Sequence, residues 1–155
     1  MAIVTTKQIV EAPLSSVWAS WDKFADVSKF HPGVADSYLV ERSSETGLGA
    51  KRQCDLTDGK TYLKEKIIGY KPERQMVIDI YESNAPIKKA VVTIDFKPLS
   101  ADRTEVNLHM DFTPKLGLVG KMIQPIMKKQ FSKALGDLVS GNASYVEKQA
   151  NAVAA

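Results

Sequence analysis

The feature that most constrains the fold is a change in the spacing of apolar residues at Pro114. Between Val34 and Thr113, apolar and polar residues largely alternate in short runs, which is typical of half-buried β-strands. After Pro114, apolar residues recur every three or four positions to about Lys148, and this predicts one long amphipathic helix. Pro125 is expected to separate a short lead-in turn from this helix or to kink it. The predicted buried face comprises Val119, Ile123, Ile126, Met127, Phe131, Leu135, Leu138 and Val146.

The elements before Pro114 follow from the same patterns. Six successive strands are predicted at Val34 to Arg42, Ala50 to Thr57, Lys60 to Tyr70, Gln75 to Ser83, Lys88 to Lys97 and Thr104 to Thr113. A strand and two short helices precede them, at Ile3 to Glu11, Leu14 to about Trp21, and Phe24 to Phe30. The sequence therefore predicts an α+β fold: a curved antiparallel sheet of about seven strands around a long C-terminal helix. We expect one domain over residues 1–150 and a frayed tail over 151–155.

Composition narrows the classes of function. The net charge of +3 over 155 residues is too small to indicate a nucleic-acid-binding protein. The lysines at 121, 128, 129 and 133 have helical spacing and fit the solvated side of a helix, with a weak membrane-surface role as the alternative. No apolar run approaches the roughly 20 residues of a membrane span, so we expect no stable membrane insertion. A single cysteine, Cys54, and no visible signal peptide favour a cytoplasmic location.

The hairpin around Asp58-Gly59 locates the interior of the sheet. Asp-Gly between two strands predicts a two-residue type I′ turn, in which opposed residue numbers sum to 117. Arg52 then faces Glu65. One face of the hairpin is mostly apolar and is expected to point inward; it carries Arg52, Cys54, Leu56, Thr61, Leu63, Glu65 and Ile67. An ionic pair on this face has two interpretations: a structural ion pair near a strand end, or a polar spot in a cavity that fixes a ligand or a water molecule.

Other polar residues are candidates for the same interior. If Val40 points inward, strand alternation also directs Asp36 and Tyr38 inward. On the strand from Gln75 to Ser83 both faces contain apolar residues, and we favour the face that carries Asp79 and Tyr81. Polar groups that converge within apolar walls are the usual signature of a ligand site.

Few residues offer catalytic chemistry. His31, close to the expected cavity mouth, is either a general acid or base or a packed loop residue. Cys54 is expected to be a buried, inert thiol, and the predicted pairing with Arg52 argues against Glu65 as a free general base. His109 lies on the outer face of its strand. Two distant histidines and one cysteine give no metal-ligand spacing, so we expect no metal and no cofactor.

Several motifs resemble those of the START-like, or SRPBCC, helix-grip superfamily. They are the run Gly49-Ala50-Lys51-Arg52 with Asp58-Gly59 and Glu65, the opening from Ile9 to Trp18, the segment Phe30-His31-Pro32, and the run from Thr104 to Pro114. The sequence looks most similar to the polyketide cyclase/dehydrase and lipid-transport branch. The resemblance implies a ligand cavity lined by Cys54, Leu56, Glu65, Leu108, Met110, Phe112 and, from the helix, by residues among Ile123, Met127, Phe131 and Leu135. Relatives often carry Trp or a polar residue where Leu108 stands, which implies a more apolar cavity here.

Three hypotheses of function follow. The first is a carrier or sensor that binds a small hydrophobic molecule, either a lipid or an aromatic or polyketide-like compound. The second is a cyclase or dehydratase without metal, for which Glu65, Arg52 and His31 are the catalytic candidates. The third is a protein-interaction module whose cavity is incidental.

Overall fold

One curved antiparallel sheet forms most of the molecule in the computed structural model, which describes residues 2–115 and 117–154. Its strands are β1 (Ala2–Val10), β2 (Val34–Leu39), β3 (Lys51–Leu56), β4 (Tyr62–Lys71), β5 (Gln75–Ser83), β6 (Ile87–Ser100) and β7 (Arg103–Pro114). Strands β2 to β7 pair with their neighbours in chain order, and β1 pairs along β7. The prediction of a seven-stranded antiparallel sheet is confirmed.

Two short helices follow β1 and one long helix ends the chain. They are α1 (Leu14–Asp22), a 3₁₀ helix (Phe24–Lys29) and α2 (Gly117–Ala154). Pro13 is the N-cap of α1 and has an extended conformation, and its carbonyl oxygen accepts the N–H groups of Ser16 and Val17. Pro125 lies inside α2, and the helix extends beyond the predicted end at Lys148. The α+β helix-grip architecture is therefore as predicted.

The two halves of α2 are buried to different extents. In the C-terminal half, side chains from Leu135 to Val146 pack into the core. There the helix passes so close to the 3₁₀ segment that a Cβ added at Gly141 would lie 2.0 Å from the Phe30 carbonyl oxygen. In the N-terminal half, Val119 and Ile126 are 56% and 61% exposed, so their predicted burial is wrong. Successive residues of a helix are rotated by about 100° around its axis. Val119 and Ile126 therefore lie about 80–100° around the helix from the buried Met127, outside the side that faces the core.

The hairpin between β3 and β4 has the predicted register with a different turn. Arg52 pairs with Glu65, and Cys54 pairs with Leu63. Gly59 has a φ of +75°, whereas Asp58 has a negative φ, so the turn is not type I′. Instead, residues 57–60 form a four-residue loop, in which the Asp58 carboxylate accepts N–H bonds at 2.8 and 2.9 Å. The register is preserved because both loops are centred between the same two residues.

A β-bulge near the start of β2 sets which face of the strand points inward. The pairing with β3 shifts between Val34 and Asp36, so that Ser37 pairs with the inner residue Cys54. An extra residue in one strand moves the following side chains to the opposite face. Asp36 and Tyr38 are exposed on the outer face, whereas Ser37 and Leu39 pair with the inner residues Cys54 and Arg52. The prediction that Asp36 and Tyr38 point inward, which assumed an inward Val40, is therefore wrong.

Strand β5 also presents the face opposite to the predicted one. Met76 and Ile78 are buried, and Ile78 pairs with the inward Ile67 of β4. Asp79 and Tyr81 consequently lie on the outer face, where the Tyr81 hydroxyl donates a hydrogen bond to Glu41. The inward prediction for both residues is wrong, because apolar residues occupy both alternating sets of this strand and alternation alone does not decide between them.

Candidate functional site

A cavity of about 220 Å³ lies between the inner face of the sheet and α2. Its walls are mostly aliphatic, since β3 to β7 direct branched and unbranched apolar side chains inward and α2 covers them. The lining residues are Trp21, Val27, His31, Gly33, Val34, Arg52, Cys54, Leu56, Leu63, Glu65, Ile78, Ile80, Ala85, Ile87, Val92, Ile94, Met110, Phe131, Ala134, Leu135 and Leu138. An apolar enclosure with a few polar groups is the usual form of a small-molecule site.

The Arg52–Glu65 ion pair provides the polar end of the cavity. The Arg52 Nε and Nη2 atoms lie 2.7 and 2.5 Å from Glu65 Oε2, and the two side chains are only 7% and 10% exposed. Arg52 Nη1 donates to the Phe24 carbonyl oxygen at 2.7 Å, and its guanidinium lies 3.9 Å from the centroid of the Phe24 ring. Burial lowers the pKa of Arg52, but the attraction of Glu65 outweighs it and the net shift is upward. Arg52 is therefore permanently charged and compensated by Glu65.

The second carboxylate oxygen of Glu65 is open to the cavity. Both contacts of Arg52 use Oε2, and Oε1 has no hydrogen-bond partner among residues 2–115 and 117–154. Side-chain atoms of the described residues that are shielded from solvent all have partners, so Oε1 faces accessible space. A carboxylate oxygen accepts hydrogen bonds only, which makes this atom an acceptor for a donor group inside the cavity.

His31 adds a second polar group to the lining. Its Nδ1 accepts the N–H of Gly33 at 3.2 Å, which leaves the proton of the neutral ring on Nε2. Burial lowers the pKa of His31 from its usual 6.5, and the charge of Glu65 opposes this shift. The ring is therefore neutral near pH 7, and Nε2–H has no partner within the described part of the chain.

Cys54 lines the cavity two residues after Arg52 on β3 and is unreactive. Burial raises the pKa of its thiol to about 12, and the nearby negative charge of Glu65 adds to the shift. The nucleophilic form of cysteine is the thiolate, which is almost absent at neutral pH in this environment. Cys54 therefore contributes apolar surface.

Aromatic side chains close one side of the cavity. Trp21 lines it and packs edge-on against Phe30 and Phe96, with ring centroids 5.3 and 6.4 Å apart. Its indole Nε1 donates to Asn142 Oδ1 of α2 at 3.0 Å, so the helix and the wall are joined by a buried hydrogen bond. A molecule in the cavity would therefore lie next to the Trp21 indole.

The structure brings nine of the predicted site residues to the cavity: His31, Arg52, Cys54, Leu56, Leu63, Glu65, Met110, Phe131 and Leu135. Leu108, Phe112, Ile123 and Met127 pack in or against the core outside the lining, and Asp36, Tyr38, Asp79 and Tyr81 lie on the outer surface. The sequence missed Ile78 and Ile80, which form the alternative face of β5, and also missed Trp21, Val34 and Ala134. The alternation of apolar residues in β5 could have indicated Ile78 and Ile80, although it was compatible with either face of the strand pointing inward.

Two other features bear on the kind of site. Within residues 2–115 and 117–154, no three His, Cys, Asp or Glu side chains come close enough together to hold a metal ion. None of the helices described there combines the length and the apolar character that crossing a membrane requires.

Solved structures of known proteins share this architecture at low sequence identity. The Zhui aromatase/cyclase from Streptomyces sp. R1128 has a TM-score of 0.81 at 14% identity, with 96% of this chain and 95% of that chain covered. A START superfamily protein from Mycobacterium smegmatis has a TM-score of 0.79 at 17% identity, with 95% and 98% covered. TTHA0849 from Thermus thermophilus also has a TM-score of 0.79, at 16% identity, with 96% and 99% covered. At such identities these structures share the fold alone.

Sequence comparison gives the family. No protein of curated function matches the sequence significantly. The family described as polyketide cyclase / dehydrase and lipid transport matches residues 1–141, which include every strand and most of α2. The chain therefore belongs to the polyketide cyclase/dehydrase and lipid transport family.

Proposed function

We propose that the protein binds a small, uncharged, mostly apolar molecule that carries one hydrogen-bond donor, and that it acts as a carrier or sensor. The observation that carries the proposal is Glu65 Oε1, an acceptor without a partner among the described residues at the polar end of an otherwise apolar cavity. A hydroxyl in the cavity would satisfy it. The volume of about 220 Å³ suits one or two rings or a short chain, since a cavity of about 150 Å³ accommodates benzene.

The charge distribution argues against an anionic ligand. The positive charge of Arg52 is already neutralised by Glu65, whose free oxygen faces the cavity. A ligand carboxylate about 4 Å from this oxygen would be repelled by roughly 4 kcal/mol at an effective dielectric constant of about 20. The site therefore favours alcohols or phenols over carboxylic acids of the same shape.

Three probes of matched shape test the proposal: 2-naphthol, naphthalene and 2-naphthoate. Quenching of tryptophan fluorescence in titrations should give affinities in that order, because Trp21 lines the cavity. Solvent extraction of the protein purified from its own host, followed by mass spectrometry, should release a neutral hydroxylated compound. Absence of saturable binding by all three probes, together with an empty extract, would overturn the proposal.

A blocking variant tests whether the probes occupy this cavity. Ala134 lines it from α2, and Ala134→Trp should fill the space and weaken 2-naphthol binding by at least tenfold. Ser132→Trp adds the same side chain at an exposed position of the same helix and should leave the affinity unchanged. Equal affinities of the two variants would place the probe elsewhere.

A cyclase or dehydratase is the second candidate, and one observation favours it. The neutral imidazole of His31 lines the same cavity as Glu65, and a histidine with a lowered pKa is suited to accept or donate a proton near pH 7. The ion pair weighs against it, since Oε2 of Glu65 is already occupied by two contacts from Arg52. Loss of turnover with retained binding in Glu65→Gln and Arg52→Met would favour the enzyme, whereas loss of binding alone would favour the carrier.

A further inference from the structure

The N-terminal half of α2 exposes apolar side chains that the core does not use. Val119, Met122 and Ile126 are 56%, 79% and 61% exposed. Their spacing of three and four residues aligns them along one side of the helix over about 10 Å. We call these three residues the apolar stripe. A contiguous exposed apolar surface with a polar rim marks an interaction site.

The segment that carries the apolar stripe is basic. Residues 115–136 contain five lysines and neither Asp nor Glu. Lys133 pairs with Asp137 at 2.8 Å, but Lys115, Lys121, Lys128 and Lys129 form no ion pair with any residue in 2–115 or 117–154. Their positive charge is therefore not neutralised within the described part of the chain.

The apolar stripe also lies next to the cavity. The backbone N–H of Lys115 donates to the Pro86 carbonyl oxygen at 3.0 Å, and the residues on either side of Pro86, Ala85 and Ile87, line the cavity. At the other end, Phe131 lines the cavity about 7.5 Å along the helix axis from Ile126. A surface that contacts the apolar stripe is thus close to the cavity walls.

We propose that the apolar stripe and its lysines dock the protein on the surface of a bilayer that contains anionic lipid. Apolar side chains on the outward side of a helix enter the boundary between headgroups and acyl chains, while neighbouring lysines contact the negative headgroups. Docking would place the cavity beside the phase in which an apolar ligand concentrates.

Co-sedimentation with vesicles tests the proposal in 100 mM NaCl. The protein should bind vesicles of phosphatidylcholine with 30% phosphatidylserine, and binding to pure phosphatidylcholine should be at least tenfold weaker. Lys129 follows Met122 by seven residues and lies on the same side of the helix. Lys115→Gln/Lys129→Gln should weaken binding roughly tenfold or more, since each lysine near an anionic surface contributes. Lys71→Gln/Lys97→Gln makes the same charge change at exposed positions on the sheet and should have little effect.

The apolar contribution has its own pair of variants. Met122→Gln/Ile126→Gln should weaken vesicle binding at least tenfold, whereas Leu48→Gln, at a 71% exposed position in the loop between β2 and β3, should not. All of these variants should bind 2-naphthol like the wild type, which separates this proposal from the proposed cavity function. Failure to bind anionic vesicles would overturn the docking proposal, as would equal binding by the stripe and control variants. Association with an acidic protein but not with vesicles would overturn it as well.

Discussion

Replacement of Glu65 by glutamine should reverse the charge preference of the cavity. Glutamine keeps the shape and one acceptor oxygen but removes the negative charge that compensates Arg52. Arg52 cannot lose its proton, and its remaining partners, the Phe24 carbonyl oxygen and ring and the Cys54 side chain, are all uncharged. The variant therefore has an uncompensated cation at the polar end of an apolar cavity, and an anionic ligand would compensate it.

The magnitude follows from the distances. Opposite charges about 4 Å apart attract by roughly 4 kcal/mol at an effective dielectric constant of about 20, and desolvation of the ligand carboxylate offsets part of this. We expect a net gain of about 2–3 kcal/mol for 2-naphthoate, or roughly 30- to 150-fold in affinity. Removal of one partner of a buried ion pair costs about 3–5 kcal/mol in the free energy of unfolding. Here the cost should be at the low end, because glutamine still accepts a hydrogen bond.

Isothermal titration calorimetry of wild type and Glu65→Gln with 2-naphthol, naphthalene and 2-naphthoate measures the reversal. Arg52→Met/Glu65→Leu is the matched control, since it removes both charges. This variant should bind naphthalene, and it should not bind 2-naphthol or 2-naphthoate more tightly than naphthalene. A wild type that prefers 2-naphthoate, or a Glu65→Gln variant with the same order of affinities as the wild type, would refute the reasoning. Thermal denaturation of each variant establishes that it is folded before the titration.

Three other predictions concern stability and reactivity. Gly141→Ala should lower the free energy of unfolding by about 2–3 kcal/mol, because the added Cβ meets the Phe30 carbonyl oxygen, whereas Gly136→Ala, with nothing within 4 Å, should raise it by about 0.5–1 kcal/mol in urea denaturation. Cys54 should react with Ellman's reagent at pH 8 only after unfolding, since a pKa of about 12 leaves little thiolate; rapid reaction of the folded protein would contradict this. The lowered pKa of His31 means that the unfolded chain binds more protons, so stability should fall as the pH drops below about 6.5, and this loss should be smaller in His31→Gln. Equal pH dependence of Tm in both proteins would exclude the histidine as its source.

The sequence predicted the elements that local patterns determine. Alternation and helical periodicity gave the strand order and the long helix, and the Asp58-Gly59 turn placed Arg52 opposite Glu65. That pairing survived the wrong turn type, because register depends on the centre of the loop rather than its length. The inner face of the hairpin, with Cys54 and Leu63, followed directly.

The errors arose where the pattern depends on tertiary packing. The bulge after Val34 inserts one residue into β2 and reverses the orientation of Asp36 and Tyr38, and no turn residue marks it in the sequence. The faces of β5 are both partly apolar, so only the pairing of Ile78 with Ile67 decides which one is buried. The cavity lining from the helices and loops depends on how α2 crosses the sheet, which alternation within single strands does not encode.

The two halves of α2 contribute unequally to the stability of the fold. Its C-terminal half is held by the close approach of Gly141 to Phe30 and by the buried hydrogen bond between Asn142 and Trp21. Its N-terminal half contributes little to the core, as the exposure of Met122 shows. The free energy of unfolding should therefore depend mainly on the second half of the helix. Substitutions at the exposed positions of the first half should change the surface that the protein presents to its surroundings at little cost in stability.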